Sequence, residues 1–363
     1  METGDYSSFY SETGRTILKQ LAAGRPGQNI VFSPCSILML LGVCAASSAG
    51  ASRDEILRAV AGDASFGALQ DALAQLRSDL TESGTLLSST AVCVRRDIRD
   101  RVPARYEAML DVVYGGRIFT GENVAETVNA WVRENTLGMI DGIADDSMRN
   151  MPACLLNAAA FEAEWESAYR TDQIRKDRFT NADGSVTQAE MLNSKESRYV
   201  ENGAYTGFVK PYKGREFSYM ALLPREAGAE ALTGALASLD FPGLFRSAER
   251  TDVLVTMPEF RYSFSQDLTP LCGGMGIRTA FSANADFSPL SDVPLTIGSV
   301  LHRAFIQVDR KGTRAAAVTA ALMLRSSARP RSPRVVRLDR PFVFAVVHNE
   351  TGLPVFCGVV NQL

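Results

Sequence analysis

Asp309-Arg310-Lys311-Gly312-Thr313-Arg314-Ala315-Ala316-Ala317-Val318-Thr319-Ala320-Ala321-Leu322-Met323-Leu324 is the stretch on which the reading of this chain turns. Beyond Gly312 it is mostly small and apolar, and no proline occurs before Pro330, so an extended backbone here keeps every ladder donor. Side chains of a strand alternate between faces, which puts Thr313, Ala315, Ala317, Thr319, Ala321 and Met323 together on an uncharged face. Arg314 falls on the opposite face with Ala316, Val318, Ala320, Leu322 and Leu324, where its charge can stay in water. Gly312 provides a flexible pivot. The continuation, Arg325 to Arg340, carries six arginines and one acid, Asp339. The first part is fit to join something and the second to remain solvated. Together they form the one long irregular piece of the chain, and such a loop in a compact protein signals function.

The rest of the chain is ordinary globular sequence. Hydrophobic residues at 46 % and charged residues at 22 % of 363 exclude collagen-like, disordered and disulfide-scaffold classes. A net charge of −3 gives no global reason to expect a nucleic-acid or membrane-surface protein. The longest apolar runs, Ile37 to Ala46 and Phe342 to Val347, fall short of the roughly 18 residues that a membrane-spanning helix needs. The acidic, polar start, Met1-Glu2-Thr3-Gly4-Asp5, lacks the basic region and apolar core of a secretory leader, so none is expected. Six cysteines, Cys35, Cys44, Cys93, Cys154, Cys272 and Cys357, form no CxxC pair and sit among apolar residues. They read as buried small hydrophobes in a reducing compartment, cytoplasmic or nucleocytoplasmic, with unconventional secretion left open. Asn349-Glu350-Thr351 is the one glycosylation sequon, and it has meaning only in a secreted protein.

Apolar periodicity predicts helices at Ser7–Ala23, Pro34–Ser47, Ser52–Val60, Phe66–Leu80, Pro103–Val113 and Val124–Leu137. From Leu155 onward strand-like runs dominate: around Val200, then Tyr205–Pro211, Phe217–Leu223, Val253–Phe264 and Leu295–Val308. Helices are expected between them at Ala229–Ser238 and Leu268–Met275, and a closing hairpin pairs Phe342–Val347 with Val355–Val360.

Enzyme chemistry finds little support. HExxH, GxSxG and GxxxxGK[ST] are absent, and Gly273-Gly274-Met275-Gly276 has the look of a helix end rather than a phosphate cradle. Arg95 to Arg101 interleaves acids and offers no aromatic platform, so it reads as a solvated turn. Of the two histidines, His302 lies in a strand-like stretch and reads as buried and hydrogen-bonded, while His348 opens a turn and reads as solvated.

The chain resembles the serpins, the serine protease inhibitor family, in a series of ordered blocks. Asp309 to Thr319 resembles the family's hinge; Asn29 to Ile37 its second helix; Asn129-Ala130-Trp131-Val132 with Thr136 to Ile140 its sixth; Leu155 to Ala158 with Phe161 and Trp165 the third strand of its large sheet. Met257-Pro258-Glu259-Phe260, Ala285-Asp286-Phe287-Ser288, His302, Pro341 to Phe344 and Pro354 to Gly358 follow in family order. Departures are Arg310 and Arg314, where acids are usual, and Glu162-Ala163 after Phe161, where Lys-Gly is usual.

The resemblance implies an α+β fold, one domain over 1–363, with about nine helices, three β-sheets and an exposed reactive loop in the region 310–340. It implies an inhibitor rather than an enzyme, with no cofactor or metal, acting as a monomer. A protease attacks the loop, becomes acylated, and is trapped as the loop inserts into the central sheet. The resemblance makes Gly312, Thr313, Ala315, Ala316, Ala317 and Thr319 the hinge, and places Ser33, Ser36, Asn157 and His302 in a polar cluster where the sheet opens, with Trp165 near the loop's entry. About twelve residues gained as a strand amount to on the order of 10 kcal/mol at roughly 1 kcal/mol per hydrogen bond. That rivals a whole domain's stability, so the uninserted form is metastable.

Counting along the family register puts the cut after Ser326; one residue fewer puts it after Arg325. Arg325-Ser326 is chemically preferable because a cation fits an acid-bearing pocket such as trypsin's. Pro330 disfavours cleavage after Arg329. Leu324 leaves open a chymotrypsin-like or cysteine protease, and a noninhibitory binding protein or chaperone is the further alternative. The arginine-rich tail of the loop is a candidate contact for a polyanion.

Overall fold

A computed structural model describes residues 6–81, 84–228, 232, 236, 239–313 and 333–363. The chain begins with α1 (Tyr6–Gly24), β1 (Ile30–Phe32), α2 (Pro34–Ser47), α3 (Gly50–Ala61), α4 (Phe66–Thr81) and β2 (Leu86–Val94). Next come α5 (Arg96–Arg99), α6 (Ala104–Tyr114), β3 (Gly116–Phe119), α7 (Val124–Asn135), β4 (Ala153–Phe161) and β5 (Ala163–Glu164). The strands β6 (Ile174–Thr180), β7 (Val186–Glu201), β8 (Tyr205–Pro211), β9 (Phe217–Pro224), β10 (Glu249–Pro258) and β11 (Phe260–Asp267) follow, with a short helix Phe241–Arg246 before β10. A second short helix, Thr269–Gly274, leads to β12 (Ile297–Val308), β13 (Gly312–Thr313), β14 (Arg334–Arg337), β15 (Phe342–His348) and β16 (Pro354–Val360). Among the described residues, no helix is long and apolar enough to cross a membrane.

Contacts divide the chain into two compact units, each assembled from separated stretches. The first comprises the chain up to Ile17, Phe32–Ala160 and Ser263–Phe305. Its helices start and stop for local reasons: the Ser33 side chain caps α2 by accepting from the Ser36 N–H, Pro34 takes the first turn, and Gly115 ends α6 in a left-handed conformation. Every residue of α2 is buried, as a helix apolar on all sides requires. Strands run β3-β2-β4-β12, with β11 on the far side of β12. β4 and β12 are parallel and directly paired from Ile297↔Ala153 to Phe305↔Ala160. All nine residues of β4 are buried, and its alternation splits them: Leu156, Ala158 and Ala160 join Val124, Val128 and Val132 of α7 in one core, leaving Asn157 on the other face.

The second unit comprises Leu18–Val31, Phe161–Tyr262 and Ile306–Leu363. Here β7 serves two strand groups: its body pairs with β6 and β10, whose far edge carries β14, while Arg198–Glu201 pairs with β8, leading on to β9, β15, β16 and β1. By hydrogen bonding the strands form a nine-stranded and a seven-stranded sheet, in the α+β class. The closing hairpin forms as expected, with Phe342 opposite Val360 and both strands buried.

Several sequence expectations are corrected. β6 and most of β7 escape a periodicity reading because their sequence is polar and half-exposed; pairing on both edges holds β7 extended. The run Val253–Phe264 is two strands, broken at Glu259 after Pro258. His348 is not solvated: it ends β15 at 5 % exposure, hydrogen-bonds Thr351 through Nδ1, and packs its ring on Phe217. Of the helix expected at Ala229–Ser238, only Leu232 and Leu236 are described. The sequon residue Asn349 donates its amide to the Arg215 carbonyl. All six cysteines are buried, and none is in a disulfide.

Candidate functional site: a buried polar cluster and a hinge

The polar cluster lies in the first unit. His302 and Asn157 face each other across the β4–β12 pair, and His302 Nδ1 is 3.0 Å from Asn157 Oδ1. Asn157 Nδ2 donates to Ser88 Oγ and Thr90 Oγ1 on β2, at 3.2 and 3.1 Å, so its Oδ1 accepts and His302 Nδ1 carries the proton. His302 Nε2 then accepts from the Ser33 N–H at 3.3 Å, at the start of α2. Ser36 completes the set through Ser88 Oγ at 3.1 Å. The neutral imidazole thus satisfies a donor and an acceptor, whereas a protonated one would set N–H against N–H. Burial pushes the His302 pKa down to about 3.

Ser33, Ser36, Asn157 and His302 are thereby brought together, joining α2, β4 and β12 through β2. Ser88 and Thr90 were missed; their signal is the polar run Ser88-Ser89-Thr90 within Leu86–Val94, whose first and third members share one strand face.

The hinge lies in the second unit. Asp309 Oδ1 accepts from the N–H groups of Lys311 and Gly312, forming a tight turn that leads into β13. Three successive carbonyls are then caught by one segment: Asp309 O by Trp165 Nε1 at 2.8 Å, Arg310 O by the Tyr169 N–H at 2.8 Å, and Lys311 O by the Trp165 N–H at 2.9 Å. Gly312 and Thr313 pair antiparallel with Glu164 and Ala163, and Thr313 also pairs with Val308 at the end of β12. A Cβ on Gly312 would stand 2.1 Å from the Ala163 carbonyl oxygen, so close backbone approach, beyond any pivoting, demands glycine here. Thr313 is fully buried, its hydroxyl 2.5 Å from Tyr212 OH, and the Tyr212 ring stacks on Trp165 at 4.5 Å between centroids. The unusual Arg310 is accommodated by Glu259, whose Oε1 accepts from its backbone N–H and from Nε at 3.1 and 3.2 Å.

Beneath Trp165 lies a buried ion pair that the sequence reading did not single out. Lys210 Nζ is 2.8 Å from Glu196 Oε1, with the two side chains 3 % and 8 % exposed. Lys210 also points at the Tyr169 ring, 4.6 Å from its centroid, and Ser194 Oγ donates to Glu196 at 2.6 Å. A lysine flanked by Val209 and Pro211 in a strand bounded by apolar residues was the available signal. The remaining expected site residues, Ala315, Ala316, Ala317, Thr319, Leu324, Arg325 and Ser326, lie outside the described residues.

A parallel strand pair locked by buried histidine and asparagine, together with a turn feeding a strand-compatible loop, defines a protein organised around a sheet and the loop that follows its longest parallel strand. The family model Serpin, serine protease inhibitor, matches residues 10–363, and the chain belongs to that family. An uncharacterised serpin-like protein of Thermococcus kodakarensis is 29 % identical over 354 residues, 94 % of this chain and 82 % of that protein. The crystal structure of the thermophilic serpin tengpin in its native state matches with a TM-score of 0.87 at 30 % identity, covering 98 % of this chain and 94 % of that one. Human thyroxine-binding globulin, complexed with its hormone, matches at 0.88 and 21 % identity over 100 % and 99 % of the two chains, a likeness of fold alone.

Proposed function

We propose that this protein is a suicide-substrate inhibitor of an arginine-specific, trypsin-like serine protease, cleaved between Arg325 and Ser326. The observation that carries the reading is the hinge: Gly312 and Thr313 already hold strand geometry against β5 and the end of β12, followed by a sequence whose face shared with Thr313 in strand alternation is uncharged. In this reading the protease acylates itself on the loop, and the loop enters the large sheet as an added strand. β4 and β12 are the pair that must part, and the His302–Asn157 contact is the polar link broken in doing so. Thr313, Ala315, Ala317 and Thr319 take the buried face, Gly312 and Ala316 the other. Trp165 holds the entry turn until the loop moves. The inhibitor acts as a monomer in a reducing compartment, and the arginine-rich Arg325–Arg340 segment is a contact for acidic surfaces on the protease or a polyanion.

Incubation with a panel of trypsin-like, chymotrypsin-like and cysteine proteases tests this. Gel-stable complexes with the first group, abolished by Arg325→Ala, are expected, and mass spectrometry should place the cut after Arg325. Ala317→Glu should convert inhibitor to substrate while Ala316→Glu is milder, because only the former carries a carboxylate into the buried face. Cleavage without trapping by every protease would overturn inhibition and favour a noninhibitory binding role; trapping unaffected by Arg325→Ala would move the reactive bond.

A further inference from the structure

The second unit contains a cavity of about 730 Å³ walled by β7, β8, the helix Phe241–Arg246 with the residues after it, and the turn between β15 and β16. Its volume falls in the range of small-molecule sites, roughly 300–1,000 Å³. Four guanidinium groups line it, those of Arg198, Arg215, Arg246 and Arg250. Arg215 is spoken for, since it donates to both carboxylate oxygens of Glu166. Among the described residues, the other three have no carboxylate partner. Arg198 donates to the Phe245 carbonyl and lies over the Phe245 ring, 4.3 Å from its centroid. Burial, and after it the like charge of Arg250, hold the Arg198 guanidinium below its ordinary value. Arg246 reaches the turn at Gly352, where Nη1 stands 3.6 Å from the place a Cβ would occupy. Glu350 is the single lining carboxylate not already paired. Phe245, Val209 and Pro211 add apolar wall beside the charges.

We propose that this cavity is a binding site for a small organic phosphate, with the phosphoryl group held by Arg198, Arg246 and Arg250 and the organic part against Phe245, Val209 and Pro211. Three guanidinium groups exceed what one carboxylate can use, whereas a phosphate monoester offers a dianion and three terminal oxygens to planar, forked donors.

Calorimetric titration of the full chain with phenyl phosphate, phenyl sulfate, inorganic phosphate and phenol tests it. Phenyl phosphate should bind more tightly than inorganic phosphate or phenyl sulfate, phenol should give no measurable heat, and added salt should weaken the interaction. Loss of one charged contact is worth roughly tenfold or more in affinity, so Arg246→Gln and Arg250→Gln should each show at least that loss. Both residues are exposed, so the variants should fold, and an unchanged melting curve verifies it. Arg58→Gln, an exposed change on α3, should leave affinity intact. Absence of binding at millimolar phenyl phosphate, or undiminished, wild-type affinity in the Arg246→Gln and Arg250→Gln variants, would overturn the proposal.

Discussion

Acidification to pH 5 should weaken the native protein through His302, because that ring has no room for a second proton. Its Nε2 accepts from the Ser33 N–H and its Nδ1 donates to Asn157, in a fully buried site. Its folded pKa of about 3 lies below the unfolded value of 6.5. Between those values the unfolded chain binds a proton that the folded one refuses, so stability is fully present above pH 6.5 and is lost progressively as pH falls toward 3. At about 1.4 kcal/mol per pH unit, the cost from this residue at pH 5 is about 2 kcal/mol. Ring-labelled NMR is the direct assay, since the protein has only two histidines and the signals can be assigned with one substitution. The His302 ring should remain neutral at pH 5, with its Nδ1 protonated. In parallel, the urea midpoint of the wild type should fall more between pH 7 and 5 than that of His302→Gln, which cannot titrate. A ring that titrates near 6.5, or an equal acid loss in the variant, would refute the reasoning.

Lys210→Met should leave the Glu196 carboxylate buried and cost about 3–5 kcal/mol, whereas Lys210→Met with Glu196→Leu should recover most of it; thermal melts of both measure the difference, and equal losses would argue against a coupled pair. Gly312→Ala must displace β13 from the Ala163 carbonyl, at about 1–3 kcal/mol, and hydrogen exchange at Thr313 should rise while the His302 cluster stays protected. Thiol counting should find six reactive cysteines only after unfolding without reductant, and next to none in the native protein, since all six are buried thiols outside any disulfide. Disulfides in freshly isolated protein would contradict it.

Much of the fold was legible because local rules act locally. Pro34 to Ser47 reads as a helix from its apolar periodicity, and it forms as one. The closing hairpin follows from two short apolar runs about a polar turn. What was not legible depends on partners distant in sequence. β7 has too little apolar alternation to declare itself, and is a strand because β6 and β10 lie on either edge. The burial of His348 depends on Phe217, more than a hundred residues earlier, and the Lys210–Glu196 pair becomes tolerable only where Tyr169 and Ser194 complete it.

The loop shows the same division. Alternation, the absence of early proline and the glycine were written in Asp309 to Leu324, since strand geometry has a period of two that sequence displays directly. That Gly312 is needed for contact with Ala163, that Arg310 finds Glu259, and that Asn157 is held in turn by Ser88 and Thr90 were decided by tertiary structure alone. Close approach and hydrogen-bond pairing are properties of two chain segments at once, and a linear pattern carries only one of them.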